Sequence, residues 1–249
     1  MRTREGEDDR EALSLKQMLE RNSRMHSLKS VENGRTFPVR ENDVFVSMYP
    51  KSGTTWMQFL SHNVRLVIEN EFLDEEKAMQ FNEITEKVPW DILAEDCRAV
   101  GTIGGAQDLR AGQSKTDPKY GLRLFKSHES VEAIAKRKGN EMMARYVIVC
   151  RNPEDVFHSF HQFLPAYCGI DPEEIRAETF CDAIFAGASH SGQYWEWNMD
   201  WFQFAEKHRE RVLMVCFEDM KEDLAGVIRK VAKLMGEDFI ASADLKEMC

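Results

Sequence analysis

One short apolar run, which ends in a turn and then changes period, constrains this chain most: Val44-Phe45-Val46-Ser47-Met48-Tyr49, followed by Pro50-Lys51-Ser52-Gly53-Thr54-Thr55-Trp56. The run from Val44 to Tyr49 suits a buried strand, and Pro50 and Gly53 punctuate the turn after it. Beyond the turn Trp56, Leu60, Val64 and Val67 recur at helical spacing. A helix that begins near Thr54 aims its free N–H groups and the positive end of its dipole at the space above the strand. Gly53 lets the backbone approach closely, Lys51 adds a fixed charge, and Ser52, Thr54 and Thr55 add hydroxyl donors. The stretch therefore has the parts of a phosphate cradle. Lys51 precedes Gly53, so the order G-x-x-x-x-G-K-[ST] of the nucleoside triphosphatases is absent, which counts against a nucleotide kinase.

Three later runs repeat the arrangement of strand and then polar turn. Leu122-Arg123-Leu124-Phe125 leads into Lys126-Ser127-His128, and Tyr146-Val147-Ile148-Val149-Cys150 leads into Arg151-Asn152-Pro153. Val212 to Phe217 is the third of these and the fourth strand of the chain, with Glu218 opening the last long helix. In open α/β sheets the carboxyl ends of the strands face the ligand crevice, so Lys126, His128 and Arg151 stand where ligands bind. A lone histidine after a strand is usually structural or solvated, so His128 takes its meaning from its neighbours. Arg151 supplies a planar fork suited to phosphate, and Ser159, about two turns into the following helix, can converge on the same anion. His158 and His161 read as helix-face residues. Trp197, Trp201 and Phe204 fall at i, i+4 and i+7, a helix with a broad aromatic core face.

The 249 residues fit one α/β domain, with a flexible segment over 1–36 and the domain over 37–249. Residues 1 to about 40 are polar, with a short amphipathic helix expected at Leu13 to Leu19 and a break at Asn33-Gly34. A formal charge of −10 argues against nucleic acid and anionic membranes as partners, while leaving room for a local basic pocket. The charged start, Met1 to Arg10, lacks the apolar core of a signal peptide, and no stretch reaches membrane-spanning length, so a cytoplasmic protein is expected. Six scattered cysteines form no C-x-x-C pair; Cys150 and Cys216 read as core thiols, and no zinc site is expected. Residues 71 to 118 should hold short helices and loops, with Phe81 and Trp90 as candidates for lining a substrate pocket.

Tyr49-Pro50-Lys51-Ser52-Gly53-Thr54-Thr55-Trp56 resembles the 5′-phosphosulfate loop of the cytosolic sulfotransferases, which use 3′-phosphoadenosine 5′-phosphosulfate (PAPS) as sulfate donor. Lys126-Ser127-His128 resembles their Lys-[Ser/Thr]-His motif. Arg151-Asn152 with Asp155 and Ser159 resembles their 3′-phosphate site, with the spacing of eight between Arg151 and Ser159 kept. Phe217-Glu218-Asp219-Met220-Lys221 is similar to their Tyr-Glu-Asp-Met-Lys.

The resemblance runs from about Phe37 to Gly236. It implies a three-layer α/β fold, a central parallel sheet flanked by helices, like that of the P-loop nucleotide-binding proteins. It further implies sulfuryl transfer to a hydroxyl or amine of a small acceptor, with His128 as base. Lys51 would neutralise the bridging oxygen, and Lys126 would stabilise the sulfuryl oxygens. The loop residues would hold the 5′-phosphate, Trp56 and Phe217 the adenine, and Phe37 would help form the acceptor pocket. The product would be 3′-phosphoadenosine 5′-phosphate (PAP), and no metal is required.

Two departures stand out. Glu129-Ser130 replaces Leu-Pro after His128, altering the pocket wall or the stiffness of its loop. No Arg-Lys-Gly clamp or dimerisation motif follows Gly236, so a monomer or another dimer mode is expected. A catalytically weak or inactive nucleotide-binding or ligand-binding relative is the alternative.

Overall fold

The computed structural model describes residues 2–68, 81, 83–92, 121–136 and 144–236. Among the described residues four parallel strands form the sheet: β1 (Asp43–Met48), β2 (Arg123–Ser127), β3 (Arg145–Cys150) and β4 (Val212–Cys216), in the order β2-β1-β3-β4. Alternation along each strand sends successive side chains to opposite faces. Phe45 pairs in register with Phe125 and with Tyr146. The three rings form a ladder on one face, at 5.2 and 5.6 Å between centroids, which continues 5.3 Å further to Trp201 of helix α7 (Tyr194–Lys207). Helix α3 (Thr54–Ile68) packs on β1 and against α9 (Leu224–Met235), each with an apolar stripe at helical spacing. As expected, Trp197, Trp201 and Phe204 are buried.

The strand order places the site. The chain leaves β1 for one neighbour, β2, and later returns to the opposite neighbour, β3, so the crevice lies above the carboxyl ends where the direction reverses. After β2 comes a single helical turn, α4 (Val131–Ile134), and after β3 comes α5 (Pro153–Tyr167). Residues 89–91 run along the outer edge of β2: Lys126 N–H donates to Pro89 O at 2.9 Å and Asp91 N–H to Lys126 O at 3.0 Å. This edge bridge delivers Trp90 to the crevice.

The N-terminal reading needs correction. Helix α1 (Arg2–Ser23) is far longer than the short helix expected, and α2 (Leu28–Thr36) runs through Asn33-Gly34 instead of stopping there. Packing decides this: Met18 is fully buried, Ser14 Oγ donates to Glu174 at 2.6 Å, and Arg176 pairs with Glu11 at 2.7 Å. A Cβ on Gly34 would stand 2.6 Å from the Asp91 carbonyl oxygen, so glycine serves close approach here and not a turn.

Phe37, expected in the acceptor pocket, packs toward the start of β2. Its ring packs 5.6 Å from Phe125 and 4.8 Å from the Arg123 guanidinium. That guanidinium pairs in bidentate fashion with Asp43 at the strand starts, both contacts at 2.6 Å. The two thiols read as core are also misplaced: Cys216 is exposed and Cys150 half-buried, because both sit at strand ends. Residues 93–120 and 237–249 fall outside the described residues, and with them most of the expected pocket segment and everything said of the C-terminus.

Candidate functional site

Tyr49, buried at the end of β1, anchors the loop: its hydroxyl donates to Gly192 O at 3.1 Å, and burial raises its pKa to about 12. Ser52 N–H donates to Tyr49 O at 3.3 Å, closing a turn. Within that turn Lys51 has φ 71, a left-handed conformation that costs a non-glycine residue about 1–2 kcal/mol. Arg151 helps hold it there, its Nη1 donating to Lys51 O at 3.0 Å. Gly53 follows at φ 106, and Met57 N–H donates to Gly53 O at 3.1 Å as the first bond of α3. The amides of Thr54 to Trp56 therefore open the helix toward the crevice without intrahelical partners.

A cavity of about 470 Å³ lies above this loop, and its walls include Lys51, Gly53, Thr54, Thr55, Trp56 and Phe217. Lys126, His128, Trp90 and Arg151 complete the polar side. Phe217 fits edge-on to Trp56 at 5.7 Å, beneath the Arg151 guanidinium at 4.5 Å. A Cβ on Gly53 would meet that ring at 2.5 Å. Gly53→Ala is thus expected to push Phe217 aside and to strain the loop by about 1–3 kcal/mol. A thermal melt should fall by only about 2–12 °C, whereas titration with adenosine 3′,5′-bisphosphate should show a large loss of affinity; unchanged affinity would contradict the geometry.

Among the described residues, Lys51, Lys126 and Arg151 bring three cations to the cavity. Lys51 Nζ rests 4.0 Å above the Phe163 ring and Lys126 Nζ 3.9 Å above Trp90, each parked on an aromatic face. Burial, then Arg151, lowers the Lys51 pKa. Lys126 drops to about 8, again chiefly from burial, with Asp91 opposing the shift and Lys51 adding to it. His128 is held well below its ordinary range by burial first, then by Lys126 and His190. Its Nδ1 lies 2.6 Å from Met48 O; a carbonyl only accepts, so Nδ1 carries the proton and Nε2 is the bare acceptor. Arg151 Nε and Trp90 Nε1 are buried without hydrogen-bond partners among the described residues. Half-buried cations, unused donors and open helix amides fit a multiply charged anion, and the neutral imidazole beside them fits a proton acceptor.

Several sequence-predicted residues lie elsewhere. Phe81 packs on α3, 5.3 Å from Phe59 and 5.8 Å from His62, away from the cavity. Ser52 is buried in the turn, and Ser159 sits half-buried on α5; neither lines the cavity. Glu129 turns from the site to pair with Arg35 at 2.6 Å, while Ser130 caps α4, so the Glu-Ser replacement ties the loop down.

The sequence reading missed His190, whose ring is 6.2 Å from His128 and 6.1 Å from Trp90. It also missed Phe160, Phe163, Leu164 and Tyr167, which form the apolar wall on α5. Their recurrence at helical spacing was the available signal; for His190 there was none. Among the described residues no group of three or more His, Cys, Asp or Glu is placed to hold a metal, and no helix is long and apolar enough to cross a membrane.

Residues 41–248 match the sulfotransferase domain family. Sulfotransferase 1 family member D1 of Rattus norvegicus is 31% identical over 207 residues, covering 82% of this chain and 62% of the relative. Flavonol 3-sulfotransferase of Flaveria bidentis is 27% identical over 205 residues, covering 82% and 60%. The chain thus spans about 60% of the length of these curated relatives. Retinol dehydratase, solved with androsterone and the inactive cofactor PAP, shares the fold at a TM-score of 0.64 and 21% identity, over 89% of this chain and 67% of that one.

Proposed function

Since the chain belongs to the sulfotransferase family, we propose that its cavity transfers a sulfuryl group from PAPS to a hydroxyl or amine of a small acceptor. The observation that carries this reading is the neutral His128, with Nε2 bare, in one cavity with Lys51, Lys126 and the open amides of α3. The amides with Thr54 and Thr55 hold the 5′-phosphate, and Lys51 offsets charge on the bridging oxygen as the sulfur–oxygen bond to phosphate breaks. Lys126 faces the sulfuryl oxygens. His128 Nε2 takes the acceptor's proton as the new oxygen–sulfur or nitrogen–sulfur bond forms. Arg151 meets the 3′-phosphate, and Trp56 and Phe217 flank adenine.

The aromatic wall of Trp90, Phe160 and Phe163 supports an apolar acceptor, in keeping with the androsterone named in the retinol dehydratase complex. A cytoplasmic location belongs to the same proposal, supported by the family resemblance.

The alternative, a binding protein without turnover, predicts bisphosphate binding and no transfer across a panel of phenols, alcohols and amines; transfer to any of them supports the enzyme. A pH profile probes the role of Lys126. Its folded pKa is depressed to about 8, so its charge is complete below that value and lost as pH rises through it. The kcat/KM for donor should therefore fall above about pH 8 by up to about tenfold per unit, with no matching loss at neutral pH, where His128 stays neutral. Lys126→Arg keeps its charge past pH 12 or so and should remove that limb. An unshifted limb in the variant would exclude Lys126 as its origin.

A further inference from the structure

Cys150 and Cys216 end β3 and β4 and are register partners across the parallel pair. Their Sγ atoms lie 3.5 Å apart, and Cys150 Sγ also donates to Val215 O at 3.4 Å. Cys216 is exposed and Cys150 half-buried, so one thiol meets solvent with the other beside it. The next residue along each strand direction is a wall of the cavity: Arg151 after Cys150, and Phe217 after Cys216. Those two side chains stack on each other at 4.5 Å, Phe217 fits against Gly53, and Arg151 holds the Lys51 carbonyl. A second tie joins the same segments, since Asn152 N–H donates to Glu218 at 3.1 Å.

We propose that Cys150 and Cys216 form a reversible dithiol–disulfide site whose closure weakens nucleotide binding at the adjoining end of the cavity. The second half of this statement rests on the donor-site reading above; the first half does not. Hydrogen peroxide is a sufficient oxidant. The exposed Cys216 thiolate attacks one peroxide oxygen, giving the sulfenic acid and hydroxide, which the thiol's own proton converts to water. Cys150 sulfur then attacks the sulfenic sulfur; the sulfur–sulfur bond forms, and the oxygen leaves with the Cys150 proton as a second water. Two thiols and one peroxide give one disulfide and two waters. Burial, then the neighbouring Cys216, pushes the Cys150 thiol up to about 12, so the exposed Cys216 is the first of the two to react.

Closure must bring sulfurs that stand 3.5 Å apart to a bond of about 2.05 Å. Upstream the ladder cannot yield, because Val147, Ile148, Val149 and Val215 are buried in it. The strand ends take up the movement, and Arg151 and Phe217 are attached to them.

The test uses the full chain, reduced and then treated with peroxide, with free thiols blocked before digestion. Expected are an intact mass lower by two hydrogens, a peptide crosslink between Cys150 and Cys216, and bisphosphate affinity reduced about tenfold, the scale of one charge-assisted hydrogen bond. Dithiothreitol should restore the affinity. Cys216→Ser and Cys150→Ser should each bind as the reduced protein does and ignore peroxide. Absence of that crosslink, a crosslink with unchanged affinity, or a Cys216→Ser protein as sensitive as the parent would overturn the proposal. Should the crosslink form in a protein whose reduced state binds no bisphosphate, the disulfide site is upheld and the donor-site reading fails.

Discussion

His128→Ala is expected to lower kcat by about 10²–10⁴-fold while leaving bisphosphate affinity nearly unchanged. The split follows from geometry. Nδ1 is committed to Met48 O at 2.6 Å, so only Nε2 is available to an acceptor. The ring stands edge-on to Trp90 at 5.0 Å and is held neutral by burial and the Lys126 charge, so removing it takes no cation from the anion site. Burial and the Lys126 charge keep the imidazole neutral in the free protein; the negative charge of a bound donor would draw its pKa back toward neutrality, where a base works best. His128→Asn, which can still donate to Met48 O, should fail as completely as the alanine variant. Parallel assays of turnover and bisphosphate titration read both quantities, and a turnover unchanged in either variant would remove His128 from the mechanism.

Arg151→Ala should weaken adenosine 3′,5′-bisphosphate by about 2–5 kcal/mol, the cost of truncating one partner of a buried charged contact. Two functions are lost together. The guanidinium covers Phe217 and carries an unpartnered buried Nε suited to the 3′-phosphate, while its Nη1 holds the Lys51 carbonyl of the 5′ loop. Adenosine 5′-phosphate, which lacks the 3′ group, should therefore also lose affinity, but by less. Calorimetric titration of both nucleotides separates the contributions. Equal losses would assign Arg151 to loop support alone.

The parts of the site that the sequence displays are those fixed by local order along the chain. A strand that ends in Lys-Ser-His or Arg-Asn-Pro must present those residues at its carboxyl edge, and a Gly-Thr-Thr turn before a helical period must open a helix there. Lys51, Lys126, His128 and Arg151 were legible for that reason, and they do line one cavity. What was not legible depends on contacts between distant segments. Gly34 looks like a helix breaker until Asp91 is seen against it. Phe37 precedes β1 and so belongs to the strand-start end, beside Arg123 and Asp43, a consequence of chain direction that the family analogy obscured. His190 has no sequence signature, because only the return of the chain before α7 brings it to His128. Cys150 and Cys216 each follow an apolar run and look buried singly; register across β3 and β4 makes them a pair at the exposed rim.

Sulfuryl transfer at this cavity is tested most directly by incubating the protein with PAPS carrying a radioactive sulfur and a panel of apolar phenols, alcohols and amines. Label appearing on an acceptor, with stoichiometric PAP and loss of both in His128→Ala, is the predicted result. Tight bisphosphate binding with no label on any acceptor would contradict it and leave a nucleotide-binding protein.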